Sequence, residues 1–250
     1  MEYKDISGII VGEKKYKEND KIITFVTDSL GKISVLARGI SKMNSKFSAV
    51  KLYSLIKMDL KEVSDDFFVI TNADKIMDFP EISKDLETQS YMNYILTVAK
   101  DLFLPGEHFL ELFKLLANTM FLYDKGEKNK ELIKCAFELR ALTLSGFALE
   151  VNECSLCGNS NIEYINIYDG ECLCHNCGGE TSVNKLSTPV FEVIKHITLS
   201  DEKKVFAFKL GSGYIKELSV ITTNYIKVCM EKEYSSLKFL RNIQKGLKQC

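Results

Sequence analysis

Over roughly the first 78 residues, apolar positions alternate with polar ones and favour β-branched and aromatic side chains. Ser7-Gly-Ile-Ile-Val-Gly12 reads as a strand. Lys21-Ile-Ile-Thr-Phe-Val-Thr27 reads as a second, closed by the turn-forming Asp28-Ser-Leu-Gly31. Lys32-Ile-Ser-Val-Leu-Ala-Arg38 alternates and is the expected hairpin partner, and residues 52–60 and 67–70 predict further strands. About five short strands in so short a stretch predict a small barrel or sandwich, of which the OB-fold is one.

After Pro80 the period lengthens. Leu86, Tyr91, Tyr94, Ile95, Val98, Ala99 and Leu102 recur at helical spacing until Pro105-Gly106 stops the run. Residues 109–123 and 131–145 predict two more helices, the latter ended by Gly146. Helical patterning resumes at Ser187-Thr-Pro189, where a cap residue precedes a first-turn proline, and runs through 214–233 and 235–248. The expected architecture is α+β: a barrel domain over residues 1–80 and a helical domain over 81–250, with a cysteine module near 152–182 inserted in the helical part.

The cysteines change the picture most. Cys154-Ser-Leu-Cys157 is followed, after sixteen residues, by Cys174-His-Asn-Cys177. Two C-x₂-C pairs so separated have the spacing of a closed four-thiolate zinc site, which leaves no position for water or substrate and is therefore structural. Gly158 and Gly178-Gly179 follow the pairs and are expected to let the chain turn so that backbone N–H groups point at sulfur. Cys172 is a spare thiol that would share a strand face with Cys174. Cys135 and Cys229 are expected in the core and Cys250 in a tail; His108, His175 and His196 are expected at surface or packing positions.

Composition narrows the setting. Hydrophobic residues make up 46% of the 250 and charged residues 27%, so a packed globular chain is expected. The N-terminus has no basic region followed by an apolar one, and no apolar run is long enough to cross a membrane. Clustered rather than scattered cysteines fit a reducing cytoplasm. A net charge of −1 means that polyanion binding must come from a local patch.

One such patch is visible. From Ser29 to Met58 there is no acidic residue, while Lys32, Arg38, Lys42, Lys46, Lys51 and Lys57 supply six positive charges. The loop over residues 39–47 carries Gly, Ser and Asn and is expected to be flexible. Cationic loops beside a barrel suit a phosphate backbone, with Tyr16, Phe25, Phe47 and Tyr53 as aromatics available for base stacking. The competing reading is a solvated cationic edge that blocks strand–strand aggregation, with the aromatics in the core.

No nucleophile–base signature, phosphate-binding glycine loop or carboxylate cluster appears, so no enzyme is expected. Gly211-Ser-Gly213 reads as a turn between helices, and Glu62, Asp65 and Asp66 as a solvated hairpin loop. The open alternatives are a DNA-binding protein, an RNA-binding OB and zinc-module protein, and a scaffold that binds proteins only. The last helices carry Lys227, Lys232, Lys238, Arg241, Lys245 and Lys248, which would extend a nucleic-acid track or form ordinary exposed faces beside Glu231 and Glu233.

The chain resembles the bacterial RecO family of recombination mediators. The resemblance is carried by Gly8-Ile-Ile-Val, the segment from Tyr16 to Thr27, Gly31-Lys32, Ala37-Arg38-Gly39 with Ser45, and Asp78-Phe-Pro-Glu81. It continues in Phe137-Glu-Leu-Arg-Ala-Leu142, Ser145-Gly-Phe147, Cys154-Ser-Leu-Cys-Gly158 and Ser236-Leu-Lys-Phe-Leu240. It implies an N-terminal five-stranded OB-fold barrel followed by an α-helical domain containing the four-cysteine zinc module. It also implies a role in DNA repair: binding single- and double-stranded DNA, annealing complementary strands and, with RecR, assisting RecA loading on strands coated by single-strand-binding protein. The C-terminal tail of that coating protein is an implied partner, and a cytoplasmic, nucleoid-associated location follows. Lys32, Arg38, Lys42 and Lys46 fall in the segment matching the family's basic barrel region and are the expected DNA contacts, with Lys14 and Lys15 beside them. The family often carries more arginine here; this chain's lysines give point-charge rather than bidentate contacts. Cys154, Cys157, Cys174 and Cys177 are the expected ligands of one structural zinc. Some family members lack these cysteines, so the role does not require the metal.

Overall fold

The computed structural model describes residues 1–42, 45–107, 109–179 and 184–247. The chain divides into two compact units, one formed by residues 1–127 with the chain from Tyr234 onward, the other by Lys128–Glu233. Among the described residues no helix is long and apolar enough to cross a membrane.

In the first unit β1 (Glu2–Lys15), β2 (Lys21–Thr27), β3 (Lys32–Ala37), β4 (Ser54–Ser64) and β5 (Phe67–Asp78) close into a barrel in the order β1-β2-β3-β5-β4. All neighbours are antiparallel except β3 and β5. Of the barrel or sandwich that the alternation predicted, the barrel forms, and it is of the OB type that the resemblance implied. Closure depends on β1, which pairs with β4 through Glu2–Ile9 and with β2 through Gly8–Lys15. A register shift between Ile10 and Gly12 bends it from one partner to the other. Gly8 sits where both pairings overlap; a Cβ there would lie 2.2 Å from Met58 Cε, so a side chain would push into the core. Inward positions such as Ile10, Phe25, Val35, Ile56 and Ile70 fill the interior. The strand at 67–70 runs on to Asp78, which alternation did not indicate. Its second half is mostly exposed and is held by backbone pairing to β4, so its side chains carry no hydrophobic pattern.

A 3₁₀ turn at Pro80–Ser83 leads into α1 (Leu86–Leu102), capped by Asp85, whose carboxylate accepts from Thr88 N at 3.0 Å. After α2 (Leu110–Lys125), Gly126 turns the chain at a φ of +66°. The connection between these helices touches the barrel at Gly31, whose Cβ would stand 2.3 Å from the Leu104 carbonyl oxygen. With a φ of +65° as well, this position admits only glycine. From the far end of the chain, α7 (Ser235–Leu247) packs on α1. Tyr234 meets Tyr94 edge-on at 5.8 Å and Gln244 Nε2 donates to Tyr91 Oη at 2.6 Å.

The second unit is built on α3 (Lys130–Leu144), α5 (Thr188–Leu199) and α6 (Ser212–Cys229), with the cysteine module between α3 and α5. That module holds β6 (Ile162–Asn166), β7 (Glu171–Cys174), the single turn α4 (His175–Gly178) and β8 (Asn184–Lys185). Asn129 caps α3, and Gly146 follows its last turn at a φ of +92°. Gly211-Ser-Gly213 is not a free turn: Gly211 is the cap of α6 and the next two residues begin the helix.

Between α3 and α6 lies a charged cluster that i, i+4 spacing alone would assign to a solvated face. Lys134 and Glu138 are both fully buried, Nζ to Oε2 2.8 Å, and Glu131 stands 3.2 Å from the same ammonium. Thr223 Oγ1 accepts from Lys134 at 3.0 Å, and Thr222 and Ser219 donate to Glu138 and Glu131 at 2.6 and 2.5 Å. Burial pushes the Lys134 pKa down, but the Glu138 and Glu131 carboxylates outweigh it and the net shift is upward. Because the folded value is raised, the contribution of Lys134 is fully present below its ordinary 10.5 and is lost only as pH rises above it.

Lys134→Met strands a buried carboxylate and is expected to cost about 3–5 kcal/mol in urea unfolding of the second unit. The double variant Lys134→Met, Glu138→Leu should cost clearly less. With Glu138→Leu measured alone as well, a double-variant loss equal to the sum of the two single losses would show that the pair is not energetically coupled.

Candidate nucleic-acid interface and metal centre

Strand register decides which cations of the acid-free stretch meet. Lys15 pairs with Lys21, and Lys21 with Ala37, so the end of β1, the turn over residues 16–20 and Arg38 share one end of the barrel. That turn is tight, with Tyr16 N donating to Asp20 O at 3.0 Å. The following loop is tied to it: Gly39 N donates to Asp20 Oδ1 at 2.8 Å and Ser41 N to Asn19 O at 3.1 Å. Lys42 N then donates to Gly39 O at 3.1 Å. Lys46 Nζ reaches Thr71 O at 3.1 Å, two residues beyond Val69, the parallel partner of Leu36. Lys14, Lys15, Arg38, Lys42 and Lys46 are therefore gathered at one rim, all exposed.

The loop expected to be flexible is anchored instead. Phe47 and Val50 are buried in the barrel core, so the described part of the loop is a plug with cations on its outer side. Met43 and Asn44 lie outside the described residues. Of the acidic groups near the rim, Glu13 is engaged by Lys21 at 2.9 Å and Asp20 by the loop; Glu18 is exposed in the turn. Lys17 is a further exposed cation of the same turn, missed because Glu18 and Asp20 beside it keep the turn out of the one-sign stretch.

Lys32 is not part of this rim. It stands at the opposite end of β3, a strand of six residues and roughly 16–20 Å, opposite Val26. Its ammonium is half-buried and donates to Lys100 O at 2.8 Å, and burial lowers its pKa, partly opposed by Asp101. The acidic turn Asp65-Asp66 is at that end too, since Asp66 O accepts from Ser34 N at 2.9 Å. The Arg38 end thus carries the gathered cations, with Asp59 and Asp74 on the adjoining β4–β5 ribbon, and the Lys32 end carries the Asp65-Asp66 turn. Of the four candidate stacking aromatics, Phe25, Phe47 and Tyr53 are buried and Tyr16 is 52% exposed. In the C-terminal half Lys227 is ion-paired with Glu233, Lys238 and Arg241 lie on α7 in the first unit, and Lys248 is outside the described residues.

In the second unit the sulfurs of Cys154, Cys157, Cys174 and Cys177 all lie within 4.8 Å of one another. The Cys157–Cys174 pair is 3.6 Å apart, too long for a disulfide and close to the ~3.8 Å that tetrahedral coordination with ~2.3 Å bonds requires. Two local structures bring them together. Cys154 O accepts from Cys157 N and Gly158 N at 3.3 and 2.8 Å, and Gly158 turns the chain at +72°. Cys174 ends β7 at the start of α4, whose one turn carries Cys177 back to the same side. Gly178 ends the α4 turn and Gly179 follows it at right-handed angles, unlike the left-handed Gly158. Gly178 is glycine because a Cβ would meet the Tyr164 ring at 2.6 Å.

Burial raises the Cys154 pKa, but backbone N–H groups of Cys174, Leu156 and Cys157 more than offset it and leave the thiol at about 6. Hydrogen bonding with Cys157 and Cys174 pushes Cys177 up to about 12. Cys154 is thus the favoured thiolate, while Cys157 and Cys177 resist ionisation unless a cation compensates the charge. This donor set could hold a metal ion, and no position is left for a substrate. Cys172 is outside the set: it is fully buried, and burial raises its thiol to about 12. Its carbonyl accepts from Ser155 N at 3.0 Å and so braces the first knuckle. Cys135 is buried and Cys229 half-buried; Cys250 and His108 are not among the described residues. His175 is exposed 3.4 Å from Glu163, and His196 bonds Lys204 O at 2.9 Å.

Comparison with known proteins covers nearly the whole chain. Residues 1–73 match the family description Recombination protein O N terminal, and residues 83–238 match Recombination protein O C terminal. A protein of Acetivibrio thermocellus named DNA repair protein RecO is 26% identical over 248 residues, 98% of this chain and 99% of that one. Proteins of the same name from Caldicellulosiruptor bescii and Clostridium acetobutylicum are 29% and 28% identical. They are aligned over 95% and 88% of this chain and 97% and 92% of their own.

Cys174→Ser is expected to reduce bound metal below one equivalent and to lower the melting temperature of the second unit by about 10 °C or more, on the order of what loss of a structural site costs. Cys172→Ser should leave metal content unchanged. Metal analysis with calorimetry checks both; full occupancy and unchanged melting of the Cys174 variant contradicts the assignment.

Proposed function

Because this chain belongs to the recombination protein O family, we propose that it is a DNA repair protein acting as a recombination mediator through the cationic rim of its barrel. The observation that carries this reading is the gathering of Lys14, Lys15, Arg38, Lys42 and Lys46 at one barrel end, away from the acidic turn. Lysine-rich contacts without base-edge donors in fixed forks suit binding to the backbone of any sequence. Such binding serves a protein that must engage both single strands and duplex, and that brings complementary strands together by neutralising their repulsion.

In the same reading the barrel over residues 1–80 is the nucleic-acid domain, and the helical remainder supports partners. Those partners are RecR, the C-terminal tail of single-strand-binding protein and, indirectly, RecA, in the cytoplasm at the nucleoid. No bond is made or broken by this chain in that role. Cys154, Cys157, Cys174 and Cys177 would hold one zinc, and the metal supplies rigidity to the second unit. Lys32 contributes by fixing the barrel to the end of α1 through Lys100 and is not a principal phosphate ligand.

Fluorescence anisotropy with a labelled single strand over a salt series tests the reading. Affinity should fall steeply with salt. Arg38→Glu with Lys42→Glu should weaken binding at least about tenfold and flatten the log–log slope by about 0.7 for each phosphate that is no longer neutralised. Lys32→Ala should have a smaller effect. Absence of binding at low salt would sink the proposal.

A further inference from the structure

We infer that Tyr16 is a stacking platform for an unpaired base, and that it biases the cationic rim toward single-stranded DNA. This rests on the DNA-binding reading above and adds a discriminating residue to it. Phe25, Phe47 and Tyr53, the other aromatics in or near the acid-free stretch with stacking potential, are 0–7% exposed and committed to packing. Tyr53 Oη also donates to Asn93 Oδ1 at 2.6 Å. Tyr16 instead presents 52% of its surface at the tip between β1 and β2.

Its position is fixed rather than adventitious. Tyr16 N and Lys17 N both donate to Asp20 O, at 3.0 and 3.4 Å, and Asp20 and Asn19 in turn hold Gly39 and Ser41. The ring is therefore carried by a turn locked to the loop that bears Arg38 and Lys42. Lys14 and Lys15 precede it, and Lys17 Nζ stands 5.5 Å from the ring centroid. One ammonium at that distance covers at most one face of the ring. A large amphipathic ring placed in water among cations does not contribute to the core. It matches the alternation of phosphate and base along a single strand, where cations take the backbone and the ring takes a base. In a duplex the base faces are already stacked, so the same ring gains little while the cations act as before.

The test compares a labelled single strand with a duplex of the same length. Tyr16→Ala should weaken single-strand binding about tenfold, leave duplex affinity within twofold and leave the salt slope unchanged; Tyr16→Phe should behave as wild type. Photocrosslinking to an iodouracil-substituted strand should label the peptide that contains Tyr16. Equal losses on strand and duplex, or no loss on either, overturn the stacking role while leaving rim binding intact. A wild-type protein that binds neither oligonucleotide overturns the DNA-binding reading and the stacking role together.

Discussion

The barrel depends on β1 serving two neighbours. One half of the strand pairs with β4 and the other with β2, the irregularity after Ile10 marks the bend between them, and Gly8 leaves room for the Met58 side chain where the two pairings overlap. Without that shared strand the sheet has two free edges and the inward side chains have no common interior. Closure also fixes register all round the barrel. Register is what carries Lys15, Arg38 and Thr71 to the same level, although more than fifty residues separate the first from the last. The electrostatic character of the molecule is therefore a consequence of a backbone constraint.

The two halves of the chain use charge in different ways. At the rim, cations remain in water, where each is cheap to maintain and free to exchange counterions for phosphate. In the second unit Lys134, Glu131 and Glu138 are withdrawn from water and satisfied by hydroxyls from α6. The cysteine cluster lies in that same unit. A closed thiolate set, a buried ion cluster and a glycine packed under Tyr164 are all devices that hold a shape, and none offers an open position for chemistry. The proposed division of labour is a rim that binds and a second unit that holds its shape.

Much of this was legible in the chain itself. Period-2 alternation located all five barrel strands, Pro105-Gly106 and Gly146 marked helix ends, and the C-x₂-C spacing picked out the four sulfurs that converge. What was not legible had physical reasons. The outer half of β5 is held by backbone pairing and shows no side-chain pattern. Lys134 and Glu138 look like any surface i, i+4 pair until the hydroxyls of α6 are seen against them. The acid-free stretch treats Lys32 and Arg38 as neighbours, but a strand sends its two ends to opposite sides of a barrel. The same limit hid Lys17, which joins the rim only once the hairpin register is known.

In the proposed function, polyanion binding is confined to the Arg38 end of the barrel. Lysine-reactivity footprinting by mass spectrometry, with and without a saturating single strand, tests it most directly. Lys14, Lys15, Lys42 and Lys46 are expected to be protected, while Lys75, Lys84 and, in the second unit, Lys203, which are exposed lysines outside the rim, should stay as reactive as in the free protein. Protection centred on Lys203 and its neighbours in the second unit, with the rim lysines unprotected, would contradict it.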